Sequence, residues 1–382
     1  MSETLKPSSS YGENQKNEKG ESACNIYDKK TLLPEKAKEC LDSLVKDFKE
    51  YYLTLGYKEE PAVKISSGID PTVRFIGSHI SVFKPYLADE SIPNPGLFMN
   101  QGCLRTRNVD KLLDDNYSPS WGSYFTSIGA VTPPERLADA CNEAFDFLEK
   151  RLAISPSNIL IRISATDTDL LAACRQRYKE NTMEIDTRKP EYYRHNIGME
   201  GVRGRNFNIA LRDSKNRNEF SDIGNIILLE NTEKQLGVEV ALGSSTILKQ
   251  LYGLDHVQDC TPVIGLNNIE NTTIRRKFED AIITSTVLYA EGLRPLGQNN
   301  RNRILKQYVK SLSYFRVKSK MSIETLTQTI SDFETNVLLT SPDQASAVII
   351  VEFVKAFENE LSMKKNLTDD ERRIKDSLEL LK

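Results

Sequence analysis

The sequence predicts an α+β fold, a mostly antiparallel sheet flanked by helices and followed by an all-helical domain. Three observations predict it. Short strand-like apolar runs are interrupted by helical periodicities up to about residue 265. The stretch 97–131 contains a hairpin-like pair of such runs. From about Asn271 onward strands largely disappear and long helical periodicities dominate. A chain of 382 residues can bury a large core. The expected division is a disordered leader at 1–32, a sheet-bearing domain at 33–265 and a helical domain at 266–382.

The elements follow in order. The leader is polar and rich in Ser, Lys, Glu and Asn, without the apolar block of a secretory signal. Between Leu33 and Gly56 the residues Leu41, Leu44, Val45, Phe48, Tyr51, Tyr52 and Leu55 recur at helical spacing. A strand is expected at Thr72–Ile76, after the turn-like Gly68-Ile69-Asp70-Pro71. The apolar run Ile80–Leu87 and a Pro/Asn/Gly turn then deliver the chain into a strand at Leu97–Leu104. Its return is expected at Ser123–Val131. Pro133 and Pro134 open a helix bearing Leu137, Ala140, Cys141, Ala144, Phe145, Leu148 and Leu152 on one face. Ile159–Ile163 is a strand, with a helix capped by Asp167 after it. Phe207–Leu211, Ile223–Leu229 and Gly237–Leu242 are further strands, and a helix over 244–252 stops at Gly253. The tail is helical. Its stripe Ala347, Ile350, Val351, Val354 and Phe357 suits packing or self-association, for instance as a homodimer.

The formal net charge of −3 gives no support to non-specific nucleic-acid binding, although a locally basic face is compatible with it. No window approaches the ~20 apolar residues that span a bilayer. Six scattered cysteines without a CxxC pair, and three histidines, argue against a zinc site or a disulfide framework. Reduced thiols in a cytoplasmic protein are expected, with no bound metal site.

Arg105 is the candidate functional residue. It leaves the strand 97–104 into a segment rich in Asn and Asp, and an arginine at a strand end can grip a phosphate or carboxylate with its planar fork. A surface salt bridge is the alternative.

The company of Arg105 carries a resemblance. The chain contains, in order, FKEYYLTLGY, DPTVRFIGSHISVFKPYL, NQGCLRTRNVDKL, YFTSIGAVTPPERLADACNEAFDFLEKRLAI, EFSDIGNIILLEN and VEVALGSSTILKQLYGL. This set resembles the catalytic domain of alanyl-tRNA synthetase, a class II aminoacyl-tRNA synthetase. The stretch FEDAIITSTVLYAEGLRPLGQNNRNRILKQYVKSL is similar to that family's tRNA-recognition domain. The resemblance spans roughly residues 38–320.

It implies a ligase that activates an amino acid, alanine or another small one, with ATP and Mg2+. The aminoacyl group would then pass to tRNA or another acceptor. Gln101, Cys103 and Arg105 match the family's second signature, in which the arginine stabilises charge on the α-phosphate. Asn225 matches an asparagine of the amino-acid pocket. Glu239 stands where the family has an aspartate for the α-amino group, one methylene longer. A strand-end turn and a solvent-facing strand residue are their respective alternatives.

The departures are specific. In the glycine-rich third signature, Gly243 and Thr246 line the ATP site, but Thr246 occupies the place of an arginine and Ala241 replaces the first glycine. Losing a charge-assisted phosphate contact costs roughly 1.5–3 kcal/mol, about ten- to a hundred-fold in rate. Arg203 or Arg205 could supply the missing charge, with a basic surface loop as the alternative. The family's zinc-bearing editing domain is expected to be absent, which makes the chain a shortened, divergent paralogue. In the helical domain Arg301, Arg303, Lys306 and Lys310 are the expected RNA contacts within a locally basic region. Asp280 matches the aspartate of the family's ADH motif, whose histidine and arginine are missing here. DNA and membranes are not expected partners. Three readings stay open: a working ligase, a catalytically reduced binding or regulatory module, and an unrelated α/β protein.

Overall fold

The computed structural model describes residues 32–179, 182–338 and 346–379, and all but the last residue of the expected leader lies outside them. Helix α1 (Pro34–Thr54) buries Leu41, Leu44, Phe48, Tyr51 and Tyr52. It leads into a nine-stranded sheet of order β1-β2-β3-β9-β8-β7-β4-β5, with β6 paired to β7. The strands are β1 (Lys58–Glu59), β2 (Leu97–Leu104), β3 (Tyr124–Thr132), β4 (Ile159–Ile163) and β5 (Met183–Ile185). They continue with β6 (Arg194–His195), β7 (Arg203–Arg212), β8 (Phe220–Glu230) and β9 (Gln235–Gly243). Only β1–β2 and β4–β5 pair in parallel among the described strands, so the sheet is mostly antiparallel.

Side chains alternate across a sheet, so each strand contributes to both of its faces. One face carries Phe98, Ile128, Ala130, Phe207, Ile226 and Val240. It is sealed by α1, α3 (Leu137–Asp146), α4 (Thr168–Arg175) and α5 (Ser244–Tyr252). The other face is closed at one end by α2 (Ile80–Ala88), whose Val82, Phe83 and Leu87 pack on Met99, Val131 and Ile227. The remainder of this second face is polar and carries the candidate site.

Among the described residues five α-helices follow the sheet: α6 (Thr272–Ala290), α7 (Asn300–Lys318), α8 (Ile323–Phe333), α9 (Ala347–Met363) and α10 (Asp369–Glu379). Their core includes Phe278, Ile282, Leu305, Tyr308 and Phe315, and it takes in Ile65, Phe75, Leu104 and Leu112 from the sheet-bearing part. The tail stripe Ala347, Ile350, Val351, Val354 and Phe357 is buried in this core, which leaves it no free face for self-association.

One expected strand is not a strand. Residues 72–76 form turns and bends because Asp70, buried beneath them, captures the local donors. Its carboxylate accepts from Thr72 N at 3.0 Å, Thr72 Oγ1 at 2.6 Å, Ser81 Oγ at 2.7 Å and Lys84 Nζ at 2.6 Å. Burial opposes this charge, but these hydrogen bonds outweigh it and hold the carboxyl below its ordinary value. The apolar run after it, Ile80–Leu87, is helical and forms α2.

Helix α5 stops at Gly253, which adopts φ +63° as its cap. A Cβ there would meet Ser214 Oγ at 2.3 Å. Gly253→Ala is expected to lower unfolding free energy by about 1 kcal/mol or more, read from urea denaturation midpoints at constant slope.

Candidate functional site

Arg105 sits immediately after β2. Its backbone N–H donates to Ser123 O at 2.9 Å, the last rung before the strands β2 and β3 part. Its Nε donates to Gly77 O at 3.1 Å, and its guanidinium lies 4.9 Å from the centroid of the Phe125 ring. The two terminal nitrogens of the fork make no hydrogen bond or ion pair with any described residue. This separates Arg105 from Arg162, Arg205 and Arg276, each matched by carboxylates. The side chain is exposed, so its remaining donors are open to a ligand.

Strand register extends the site from this arginine. In an antiparallel pair, residues directly opposite one another share a face. Ser127 faces Gln101 on β2 and Gly243 on β9, and Val131 faces Glu239. Phe125, Ser127 and Glu239 therefore line the face that Arg105 borders. His79, at the start of α2, lies across them. Its Nδ1 is 2.7 Å from Ser127 Oγ and its Nε2 is 3.1 Å from Glu239 Oε1. The Nε2 contact is an ion-pair distance without good hydrogen-bond alignment. The ring seats over Gly129, where a Cβ would come within 2.2 Å of it. All three polar partners are buried, Glu239 to 1% exposure.

The candidate residues fall into distinct environments. Gln101 is fully buried. Its amide accepts from Val63 N at 2.9 Å and donates to Val63 O at 2.9 Å and Gly102 O at 2.7 Å, so it holds the backbone at residue 63. Cys103 is buried beside it. Asn225 on β8 is half-buried, with Nδ2 3.4 Å from His195 Nε2. It belongs to a polar chain in which His195 meets Asn206 at 2.9 Å, Asn206 donates to Asn208, and Asn208 donates to Asp222.

Gly243 is the N-cap of α5, and Thr246 lies in the first turn. The Ser244 hydroxyl donates to Thr126 O at 3.0 Å, fixing the helix start against β3. No cation stands in that first turn. Arg205 does not replace it. Its fork is consumed by Asp169, at 2.7 Å on both nitrogens, and by Glu230 at 3.0 Å, which together hold its pKa above the ordinary arginine value. Arg203 also turns to Glu230, at 3.2 Å.

The basic residues of α7 divide as well. Arg301 donates to the carbonyls of Arg74 and Ser67. Lys310 pairs with Glu371 at 3.2 Å and lies over the Phe357 ring. Arg303 and Lys306 are exposed. Together with Arg74 they line a cavity of about 650 Å³, which Lys310 also borders. A second cavity, about 850 Å³, lies between the start of α1 and the end of α5. Arg105 lines neither.

Sequence reasoning missed His79, Phe125 and Ser123. His79 and Phe125 stand inside the quoted motifs, but nothing in their spacing marks them as site residues. The loop 106–122 is also held more firmly than its polar composition suggests. His256 Nε2 contacts Pro119 O at 3.1 Å, Lys277 reaches Asp114 O, Tyr314 donates to Asp115 at 2.8 Å, and Arg373 donates to Leu113 O at 2.9 Å.

Comparison with known proteins gives a partial answer. Over 124 residues the chain is 26% identical to the alanine–tRNA ligase of Tropheryma whipplei, in both the Twist and TW08/27 strains. It is a distant, partial match to that ligase. The aligned part is 32% of this chain and 14% of the ligase, so the chain spans a small fraction of its curated relatives' length. No family model matches. Among solved structures, the chain is similar to a protein described as a threonyl-tRNA synthetase from Aeropyrum pernix, with 13% identity and TM-score 0.39 over 67% of this chain and 69% of that one. It is also similar to the histidyl-tRNA synthetase of S. aureus, with 11% identity and TM-score 0.37 over 58% and 72%.

Two tests follow from the site's packing. Gly129→Ala should displace the His79 ring and cost about 1–3 kcal/mol of stability, measurable by denaturant unfolding. The second uses two buried groups that hold the loop. Burial raises Asp280 from 3.8 to about 6, so the folded state binds its proton more tightly and this group's stability contribution falls as pH rises from about 4 to 6. Burial lowers His256 from 6.5 to about 4, so its contribution rises over nearly the same window. Each is worth on the order of 3 kcal/mol. Asp280→Asn should therefore leave stability that increases with pH between 4 and 6.5, and His256→Asn stability that decreases, both read from urea midpoints across pH.

Proposed function

We propose that this chain is an alanyl-tRNA-synthetase-like ligase that activates an amino acid with ATP as the aminoacyl-adenylate. The observation that carries the reading is the open fork of Arg105 on the polar sheet face, unmatched by any acid among the described residues and backed by Phe125. A cation held at its backbone and at Nε, with two further donors open, suits an oxyanion of phosphate as charge shifts during adenylate formation. In the reaction, a carboxylate oxygen of the amino acid attacks the α-phosphorus and pyrophosphate leaves. Positioning and charge do this work, without a covalent protein intermediate. In this reading Gln101 supports the ATP site by fixing residue 63, while Gly243 and Thr246 present the start of α5. Asn225 and Glu239 orient the amino acid, alanine or another small one.

Among the described residues no group of three His, Cys, Asp or Glu side chains converges as a metal site. Glu239 is occupied by His79. These residues do not fit a Mg2+ held by the protein alone. Any Mg2+ arrives with the phosphates it ligates.

Transfer of the aminoacyl group to tRNA or another acceptor is part of the proposal. Arg303 and Lys306 supply the exposed phosphate contacts, with Arg301 and Lys310 shaping the groove. Among the described residues no helix is long and apolar enough to cross a membrane, and the proposed setting is the cytoplasm.

A second reading has two specific observations behind it. Thr246 leaves the first turn of α5 without a cation, and Glu239 already has an internal partner in His79. A reduced paralogue that binds but does not adenylate would have this arrangement.

Amino-acid-dependent exchange of pyrophosphate into ATP separates the two. The ligase reading predicts exchange with at least one small amino acid, lowered about a hundred-fold or more by Arg105→Ala. Thr246→Arg should raise the exchange about ten-fold or more if the missing cation is limiting. A folded protein that exchanges with no amino acid retains only the binding reading. For the groove, tRNA affinity should weaken as salt rises, and Arg303→Ala with Lys306→Ala should flatten that dependence.

A further inference from the structure

We infer that Asp280 is a positioning residue through which the helical part of the chain sets the backbone of Arg105. The inference rests on the phosphate-clamp reading of Arg105 and adds to it what holds the clamp. Asp280 lies on α6 and is fully enclosed. Its carboxylate accepts from Ser123 N at 2.6 Å, from Ser123 Oγ at 2.6 Å and from Asn108 Nδ2 at 3.2 Å. These two residues stand on opposite sides of the loop's neck, Asn108 just after β2 and Ser123 just before β3. One carboxylate thus clasps the loop 106–122 at its base. The Ser123 carbonyl is the acceptor of the Arg105 N–H. A single residue therefore separates Asp280 from the arginine backbone.

Helix α7 joins the clasp. Tyr308 Oη donates to Ser123 Oγ at 2.7 Å, and Tyr117 Oη donates to Asn108 Oδ1 at 2.9 Å from within the loop. Asn108 also donates to Trp121 O at 2.8 Å. Among the described contacts no cation meets Asp280. Tyr308 on α7 reaches it through Ser123 Oγ and Tyr117 through Asn108, Asp110 acts on Tyr308, and Lys277 of α6 turns to the Asp114 carbonyl. A buried carboxylate held only by neutral donors is a costly way to fill space, since an apolar residue would pack without a desolvation penalty. Its value is geometric: it alone here can accept from a backbone N–H, a hydroxyl and an amide at once. Replacing it by asparagine turns an amide donor toward these donors, and the neck loosens. The α7 face opposite Tyr308 carries Arg303 and Lys306, so whatever settles in that groove bears on the same helix that holds Ser123.

The chain contains one tryptophan, Trp121, inside this loop and 57% exposed. It reports on the clasp without any ligand. The experiment compares the wild-type chain with Asp280→Asn, Asp280→Glu and Ser123→Ala, each checked for folding by near-UV circular dichroism. Trp121 emission and its quenching by acrylamide are measured at pH 7.5, with equilibrium binding of ATP beside them. Asp280→Asn should shift the emission and raise the quenching relative to the wild type. It should bind ATP about ten-fold more weakly, and Ser123→Ala, which keeps the backbone contact, about three-fold. Asp280→Glu, which keeps the acceptor, should recover part of the affinity that Asp280→Asn loses, which a general loss of packing would not do. An Asp280→Asn variant with wild-type Trp121 emission and wild-type ATP affinity overturns the inference. If Asp280→Asn fails to fold, Ser123→Ala and Asp280→Glu decide it by the same criteria. If the wild type binds no ATP, the phosphate reading of Arg105 falls, and the Trp121 emission of the variants still decides whether the clasp exists.

Discussion

Everything distinctive about this molecule depends on how the loop 106–122 is docked. A long loop between two antiparallel strands has high conformational freedom, and an arginine at its root would ordinarily share that freedom. Here the loop is tied at its neck by Asp280 and along its length by His256, Lys277, Tyr314 and Arg373, which come from the turn before α6 and from α6, α7 and α10. The helices that follow the sheet act as the bed of this loop. Their core is continuous with Leu104 and Leu112 on either side of Arg105.

The second constraint is the segment 63–79, which crosses from the helical part to the site. Glu291 at the end of α6 accepts from the N–H groups of Ile65 and Ser66, at 2.6 and 3.0 Å. Arg301 holds the carbonyls of Ser67 and Arg74. Gly77 then receives Arg105 Nε, and His79 reaches Ser127 and Glu239. The groove residue Arg74 and the clamp contact Gly77 are three positions apart on one strap. Rigidity in this strap is inherited from α6 and α7, and the two proposed ligand regions are built on shared backbone rather than on separate supports.

Much of the fold was legible because it is local. Ile159–Ile163 matches β4 residue for residue, and the helix over 244–252 ends at Gly253 because a left-handed cap needs glycine. The region 72–76 was not legible. Its β-prone side chains favour a strand, but a buried aspartate two residues earlier competes for the backbone donors, and its partners Ser81 and Lys84 lie on the following helix. The site was legible in its centre and obscure at its edges. Arg105 announces itself by position, whereas the commitment of Gln101 to Val63, or of Arg205 to Asp169 and Glu230, depends on which strands become neighbours. On α7 the sequence presents Arg301, Arg303, Lys306 and Lys310 as equivalent cations. Glu371, brought by α10, occupies Lys310, and the carbonyls of the strap occupy Arg301.

The central claim is that the open fork of Arg105 receives a phosphate. Crystals of the protein soaked with a non-hydrolysable ATP analogue test it most directly. The account predicts phosphate density within hydrogen-bond distance of the two terminal nitrogens of Arg105, with the base near Phe125. Density confined to the Arg303–Lys306 groove, with Arg105 unengaged, would contradict it.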